Sequence, residues 1–541
     1  MKHLGLDFGT STTIFSNFQG VFQLFGSNEV VIPSLAGRLE QSGEFVYGAD
    51  ALEQIAPAKL IRSMKVAISS NLSELKTVDG EDSFPADDII IGFLKHLKLQ
   101  VKRDQSYRDL AIRMSCPALW SKSQRLRLIS CATAAGIELE QGVLLDEPVA
   151  AAIGWIENLP ISQRPSGRVL VFDMGGGTLD LAVVELDKNS ATYQVRSTWG
   201  SEFAGNAFDS QLADYIIRKS NIIELVNEEI GKTDLAAFRQ FCKNLKERLT
   251  VEERVTESVT LPRSRTSFEV DITRTELQSQ LALFFSQHVW SEVGQVLKLL
   301  HTNLKSFEER ETLDQIARLP WSELADSFDF VLLAGGMTKI PFLEQILLDG
   351  PQDSAGLQTK VFHPGADVNR EFLVSQGLGQ LAQFENININ RPDFDLYLEW
   401  LDGVSGARTE FLLWEAYSEL VNTGGYDFRN AAGFISFDRG IVVPPESKPR
   451  DWSGKIIARS ITGELLNFDA GDRSGNFLPY DFYPDGRDGH FKLFPDGYFR
   501  IRNETGHTRS GQMASWPKAR IKLEPPSWPQ QNLSWYNEPY K

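Results

Sequence analysis

The sequence predicts an α/β protein of two similar lobes over residues 1–385, followed by a mainly β region over residues 393–541. Three observations carry that expectation. Residues 1–385 alternate short apolar, strand-like runs with stretches of helical periodicity, the pattern of an α/β chain. Residues 4–15, LGLDFGTSTTIF, are echoed by residues 169–184, VLVFDMGGGTLDLAVV, with Asp7 and Asp173 lying 166 residues apart. A repeat at that spacing points to two lobes rather than a short-period solenoid. Composition then changes near residue 390: the last 151 residues hold 6 of the 11 Trp, 8 of the 12 Tyr and 12 of the 24 Pro.

Bulk properties narrow the class. A chain of 541 residues accommodates two to four domains of ~100–200 residues each. With 42% hydrophobic and 23% charged residues it has ordinary globular composition. The formal charge of −17 disfavours nucleic acid and anionic membrane surfaces as partners. Three scattered cysteines, Cys116, Cys131 and Cys242, make no disulfide framework and no Cys-x-x-Cys pair. The N-terminus leaves no room for a signal peptide, and no run of ~18 apolar residues suggests a membrane span. A soluble, cytoplasmic protein is expected. The seven histidines have no metal-ligand spacing.

The first repeat places Asp7 at the end of a buried strand. Gly9 permits a tight reversal, and Thr10, Ser11, Thr12 and Thr13 supply hydroxyls and backbone N–H groups suited to phosphate oxygens. An acidic residue beside such a turn can hold hydrated Mg²⁺. The second repeat puts Gly175, Gly176, Gly177 and Thr178 between two apolar strands, flanked by Asp173 and Asp180. Three consecutive glycines weaken a strand pair, and close approach of a ligand to the backbone explains them. The Walker A pattern is absent, so this is no P-loop. A third segment, Phe330 to Pro341, is a buried strand entering a Gly335-Gly336 turn and then a helix. Beyond residue 390, short aromatic and β-branched runs separated by Pro-Asp-Gly turns at 484–486 and 495–497 read as an antiparallel meander.

In order and spacing these segments resemble the actin, sugar kinase and heat-shock-70 ATPase superfamily, and in detail the heat-shock-70 chaperones. LGLDFGTSTT is similar to the first phosphate loop, VFDMGGGTLDLAVV to the second, VLLDEPVAAAIGW to the connecting segment and FVLLAGGMTKIPFL to the adenosine loop. CPALWSKSQR carries Pro117 and Arg125 at the family's spacing, IRSMK resembles the segment with the catalytic lysine, and SEFAGNAFD resembles the Gly-Gly-x-x-Phe-Asp segment. The resemblance covers roughly residues 1–385 and implies a two-lobed, actin-like (ribonuclease H-like) ATPase domain that hydrolyses ATP slowly to ADP, with Mg²⁺ in the cleft.

Carried over residue by residue, the resemblance makes Asp7 and Asp173 the metal-shell residues, largely through water. Asp173 and Glu147 also orient the attacking water, and Asp180 supports it. Lys65 stabilises charge on the transferred phosphoryl group. Gly9, Thr10, Ser11, Thr12 and Thr178 meet the phosphates, which Gly175, Gly176, Gly177 and Gly205 cradle. Lys246, Thr250, Gly335, Gly336 and Lys339 meet the nucleoside. Such residues supply positioning and electrostatics, which phosphoryl transfer chiefly needs.

The sequence also departs from the family. Lys243 stands at its acidic ribose contact, Glu247 near its adenine-stacking arginine, Lys339 at its adenosine-loop arginine, and Gly365 at the acidic position of its closing helix. Lysine lacks the planar face that stacks on adenine. Glu140 and Gln141 occupy the place of a basic residue, which argues against a conventional J-domain cochaperone. After a connector over 386–392, Phe394 to Trp400 reads as the first strand of the next domain, and no helical lid is recognisable. The expected role of residues 393–541 is to bind a protein client or partner. Basic and aromatic residues interleave there (Phe499, Arg500, Arg502, Arg509, Trp516, Lys518, Arg520, Lys522), and core packing is the expected use of the aromatics. The sequence therefore reads as a heat-shock-70-like chaperone or nucleotide-switched adaptor. A small-molecule kinase of the same superfamily and an actin-like scaffold are the alternatives.

Overall fold

The computed structural model describes residues 3–17, 20–21, 30–103, 111–186, 193–220, 232–261, 264–304, 316, 318–351, 361–362, 369–380, 391, 393–418, 437–441, 450–466, 468–469, 474–475, 477–481, 489–493, 498–502, 508–513 and 521–523. The chain divides into two compact units. The first comprises Met1–Ala191, Thr198–Val296 and Trp321–Gln383, and the second comprises Thr192–Ser197, Leu297–Pro320 and Phe384–Lys541.

The first unit contains the internal repeat as two sheets of matching design. In one, the strand His3–Phe8 pairs antiparallel with Thr12–Asn17 and parallel with Ala111–Cys116, beyond which lies Leu139–Asp146. In the other, Gly167–Met174 pairs antiparallel with Leu179–Leu186 and parallel with Phe330–Ala334, which pairs parallel with Val361–Phe362. Each sheet thus presents a hairpin whose first strand carries an aspartate as its penultimate residue, Asp7 or Asp173. Parallel pairing needs both sheet faces covered, and the strands read accordingly: Val169 through Phe172 and Leu179 through Val184 are all buried.

The helix Glu147–Asn158 is buried at every position from Glu147 to Ile156 and touches strands of both sheets. A helix apolar all round belongs in a core. Its neighbour, Leu373–Gly379, crosses it at small residues: a Cβ on Gly377 would lie 1.8 Å from the Ala150 carbonyl oxygen, and one on Gly154 would lie 2.0 Å from that of Leu373. The same short helix lies on the first strand, where a Cβ on Gly5 would meet the Ser375 carbonyl at 2.2 Å. The Ser375 and Ser16 hydroxyls bond at 2.7 Å. This crossing seats the first turn of the Glu147 helix, and Glu147 is its first residue.

In the second unit, four antiparallel strands follow the order Arg408–Trp414, Phe394–Leu401, Ser453–Ser460, Leu478–Asp481. The expected strand after the connector is therefore Phe394–Leu401. The connector itself, except Arg391, lies outside the described residues, as does Gly365. A second antiparallel sheet runs Phe437–Ile441, Gly489–Leu493, Tyr498–Arg502, Thr508–Met513, Ile521–Leu523. Its last four strands pair in sequence, as a meander does. The two Pro-Asp-Gly turns, Trp516, Lys518 and Arg520 lie outside the described residues. Among the described residues after 384 there is no α-helix, and the turn Arg450–Trp452 is interrupted by the left-handed Asp451 at φ 55°.

Phe394–Leu401 alternates in the period-2 manner of a strand. Leu396, Leu398 and Trp400 are buried on one face, while Asp395, Tyr397 and Glu399 share the other. Trp400 and Trp414 are core residues. Glu399 has no exposed surface and sits 2.9 Å from the Lys455 ammonium, 3.4 Å from Arg408 and 3.6 Å from Arg459. Arg459 also lies 4.9 Å over the Tyr397 ring.

Two outcomes follow from this packing. Gly377→Ala has no room for its methyl group against backbone, and should cost about 1–3 kcal/mol or more in denaturant unfolding. Glu399→Ala strands buried Lys455 without its carboxylate, and should destabilise the second unit by about 3–5 kcal/mol. A denaturation curve unchanged from wild type would contradict either assignment.

Candidate functional site

The two hairpin turns face each other. A Cβ on Gly176 would lie 3.0 Å from the Ser11 hydroxyl, and one on Gly177 would lie 2.6 Å from the Thr10 hydroxyl. Only bare backbone permits that approach. The first turn is braced by Ser34, whose hydroxyl donates to the Gly9 carbonyl at 2.9 Å and whose N–H donates to the Ser11 carbonyl at 2.9 Å. The second turn closes on itself through the Gly175 N–H and the Thr178 carbonyl at 3.0 Å. Gly335 has φ +80° and packs against the second hairpin, where a Cβ would meet Asp173 Oδ1 and the Met174 carbonyl at 2.5 Å.

Between the turns lies a cavity of about 430 Å³. All the sequence-predicted site residues line it except Asp180: Asp7, Gly9 to Thr12, Lys65, Glu147, Asp173, Gly175 to Thr178, Gly205, Lys246, Thr250, Gly335, Gly336 and Lys339. Asp180 sits directly behind, as the register partner of Asp173 across the second hairpin.

Lys65 is buried and forms an ion pair with Glu147. Its short helix, Met64–Ser69, follows Ser63, which adopts a left-handed conformation at φ 59°. That helix is pinned from outside: the Arg127 guanidinium donates to the Ala67 carbonyl at 3.0 Å and the Trp120 indole to the Ser69 hydroxyl at 3.0 Å. Asp180 accepts the Ala118 N–H at 2.8 Å.

The charges do not balance locally. Burial, reinforced by the Glu147 charge, pushes the Asp7 and Asp180 carboxyls up to about 7, even with Lys65 pulling both down. Burial and the neighbouring carboxylates Glu147, Asp180 and Asp7 push Asp173 well above its ordinary value. For Lys65, burial opposes the charge, but Glu147, Asp7 and Asp180 outweigh it and hold the ammonium above its usual range. A second positive charge suits this arrangement. Among the described residues no three acidic side chains converge as a direct metal cage. A hydrated Mg²⁺ fits such a set, because it retains several of its waters.

The far wall is formed by the helix Lys232–Leu249 and the turn after Phe330–Ala334. The Lys246 ammonium lies 2.6 Å from Asp209, and both side chains are buried. Lys339 pairs with Glu371 at 2.5 Å. The Thr250 hydroxyl turns back to donate to the Glu247 carbonyl at 2.6 Å. Lys243 and Glu247 also line the cavity. Sequence reasoning did not single out Asp209 or Glu371. Asp209 closes the segment SEFAGNAFD and Glu371 lies just before the helix Leu373–Gly379, and only the folded pairing marks them.

Ionisation of Asp7 and Asp180 costs stability. Their folded-state values lie above the ordinary 3.8, so the folded protein holds those protons more tightly than the unfolded chain does. Their stabilising effect is complete below about pH 4 and is lost as pH rises through about 7. Asp180→Asn removes one such charge and keeps the acceptor for Ala118. Without metal or nucleotide, its melting temperature should match wild type near pH 4 and exceed it by several degrees at pH 8. An equal offset at both pH values would refute this account.

Comparison with known proteins is consistent with this geometry. The profile of the family described as Hsp70 protein matches residues 53–352. Over 422 residues the chain is 23% identical to the chaperone protein HscA homolog of Colwellia psychrerythraea, covering 73% of this chain and 60% of that one. Over 379 residues it is 26% identical to the chaperone protein DnaK of Deinococcus deserti, covering 64% of this chain and 55% of that one. The chain thus spans 55–60% of the length of these relatives. No comparison favours the small-molecule kinase alternative. The family match takes in more than half of the sequence and contains Lys65, Glu147, the second glycine turn and Gly335, so this chain belongs to the Hsp70 family, with that family's two-lobed, actin-like ATPase fold.

Proposed function

We propose that this chain is a slow, Mg²⁺-dependent ATPase of the Hsp70 kind, whose nucleotide state governs how residues 393–541 bind a protein client or partner. The observation that carries the reading is the buried Lys65–Glu147 pair, set among Asp7, Asp173 and Asp180 beneath two facing glycine turns.

In this reading water attacks the γ-phosphorus of ATP. A new P–O bond forms as the bond to the ADP oxygen breaks. Asp180, its carboxyl near pKa 7, takes the water's proton and later releases it to solvent. Lys65, kept charged by its carboxylate neighbours, stabilises negative charge on the transferred group. Glu147 fixes the Lys65 ammonium and orients water. Backbone N–H groups of the two turns, with Thr10, Ser11, Thr12 and Thr178, hold phosphate oxygens. Mg²⁺, when bound, neutralises the carboxylates and draws charge from the phosphates, with Asp7 and Asp173 holding its water shell.

The client, the partner and the compartment are parts of the same proposal. Among the described residues no helix is long and apolar enough to cross a membrane. The three cysteines are free and buried, and burial pushes their thiols up, Cys131 to about 12. Inert thiols suit a reducing cytoplasm. The acidic position of Glu140 supports the expectation that a conventional J-domain protein is not the partner.

Lys65→Ala should lower steady-state Mg-ATP hydrolysis by about 10²–10³-fold while ATP still binds. Turnover that survives this change rules out the assigned chemistry. With wild-type protein, fluorescence anisotropy of a labelled, reduced and unfolded model protein should report different affinities in ATP and in ADP. Equal affinities would remove the nucleotide switch from the proposal.

A further inference from the structure

We infer that Asp209 is a positioning residue of the nucleotide pocket: it fixes the Lys246 ammonium in the far wall and ties that wall to the second glycine turn. The inference rests on the nucleotide reading above.

Asp209 lies early in the helix Gly205–Lys219. The start of that helix is stitched to the glycine turn by two backbone hydrogen bonds. The Gly205 N–H donates to the Gly175 carbonyl at 3.1 Å, and the Asn206 N–H donates to the Gly176 carbonyl at 2.7 Å. Gly205 fits closely there, since a Cβ would lie 3.1 Å from Met337 and 3.2 Å from the Gly175 carbonyl. From this anchored helix, Asp209 reaches the Lys246 ammonium on the helix Lys232–Leu249 at 2.6 Å.

The pair sits where stability alone would not put it. The two side chains are 7% and 8% exposed, and both line the cavity. A buried ion pair seldom stabilises more than apolar packing of the same volume. Burial keeps the Asp209 carboxyl above its ordinary range even though Lys246 and Lys243 pull it down. What the pair provides is a fixed donor. An ammonium carries three N–H groups, and one contact to Asp209 leaves others for oxygen atoms of a ligand. Without Asp209, the ammonium would lose the contact that fixes it and turn toward solvent, and the cavity would lose a placed donor. Lys65, Glu147 and Asp180 stand on other elements, so the loss should fall on binding rather than on the chemical step.

Isothermal titration of the full-length chain with ATP in Mg²⁺ buffer, alongside steady-state hydrolysis, tests this. Asp209→Asn should weaken ATP binding and raise KM about tenfold, with kcat kept within about twofold. Asp209→Glu should recover part of the affinity. In a Lys246→Met background, adding Asp209→Asn should leave affinity within about twofold, because Asp209 acts through Lys246. It should also raise the melting temperature by removing a buried, unpaired carboxylate. The inference is overturned if Asp209→Asn lowers the melting temperature yet binds ATP like wild type, or if the two single losses multiply in the double variant. Wild-type protein that fails to bind Mg-ATP at all would instead sink the nucleotide reading itself. If Asp209→Asn does not fold, the Asp209→Glu variant and the double variant decide the matter.

Discussion

Four carboxyl groups, Asp7, Glu147, Asp173 and Asp180, share the neighbourhood of the Lys65 ammonium in the first unit, and all but the half-buried Asp7 are buried. Such a cluster cannot be a stability device. Each ionised carboxylate pays for its desolvation and repels its neighbours, and one ammonium offsets only part of that. The fold tolerates the cluster because every member is anchored from behind. Asp7 and Asp173 are paired within the last two residues of their strands, Asp180 is held by the Ala118 N–H, and Glu147 begins a helix that is buried along ten consecutive residues.

That anchoring depends on backbone proximity. The helix Leu373–Gly379 lies so close to the Glu147 helix and to the first strand that Gly5, Gly154 and Gly377 have no space for a methyl group. The same limitation recurs inside the site, where Gly176 and Gly177 face Ser11 and Thr10. Glycine at these places serves two ends. Behind the site it lets rigid elements close on one another, and in front it leaves N–H groups bare for a ligand. Glycine loses more freedom on folding than other residues, and the tight apolar core around it supplies the compensating contacts.

Much of this was legible in the sequence because it is encoded locally. A strand ending in Asp, a turn of small residues and a returning strand can be read from about twelve consecutive positions. Finding the pattern twice anticipates the two matching sheets. The strand Phe394–Leu401 was legible from its alternation, and the meander from its pattern of short runs. What escaped reading is the pairing between distant segments. Nothing near Asp209 in sequence announces Lys246, 37 positions later, and nothing near Lys339 announces Glu371. Charge partners are chosen by the fold, and a single sequence carries no record of them. Glu399 is the extreme case: a glutamate inside a strand reads as solvent-facing, yet three cations from two flanking strands enclose it completely.

The departures from the family on the far wall also acquire a physical meaning in the fold. Taken one at a time, Lys243, Glu247 and Lys339 look like losses of nucleoside contacts. In the structure Lys339 has an acidic partner in Glu371, Thr250 is committed to the Glu247 carbonyl, and Lys246 is committed to Asp209. Two of the wall's ammonium groups, Lys246 and Lys339, thus have carboxylate partners within it. An ammonium held by one carboxylate keeps its place and still offers its remaining N–H groups to a ligand, which favours discrimination by geometry. In the reading proposed above, the phosphate end offers bare backbone N–H groups, and its acids would favour the ligand only through the Mg²⁺ they would help to hold. In that same reading, the placed ammonium groups of the far wall are where one nucleoside would be told from another.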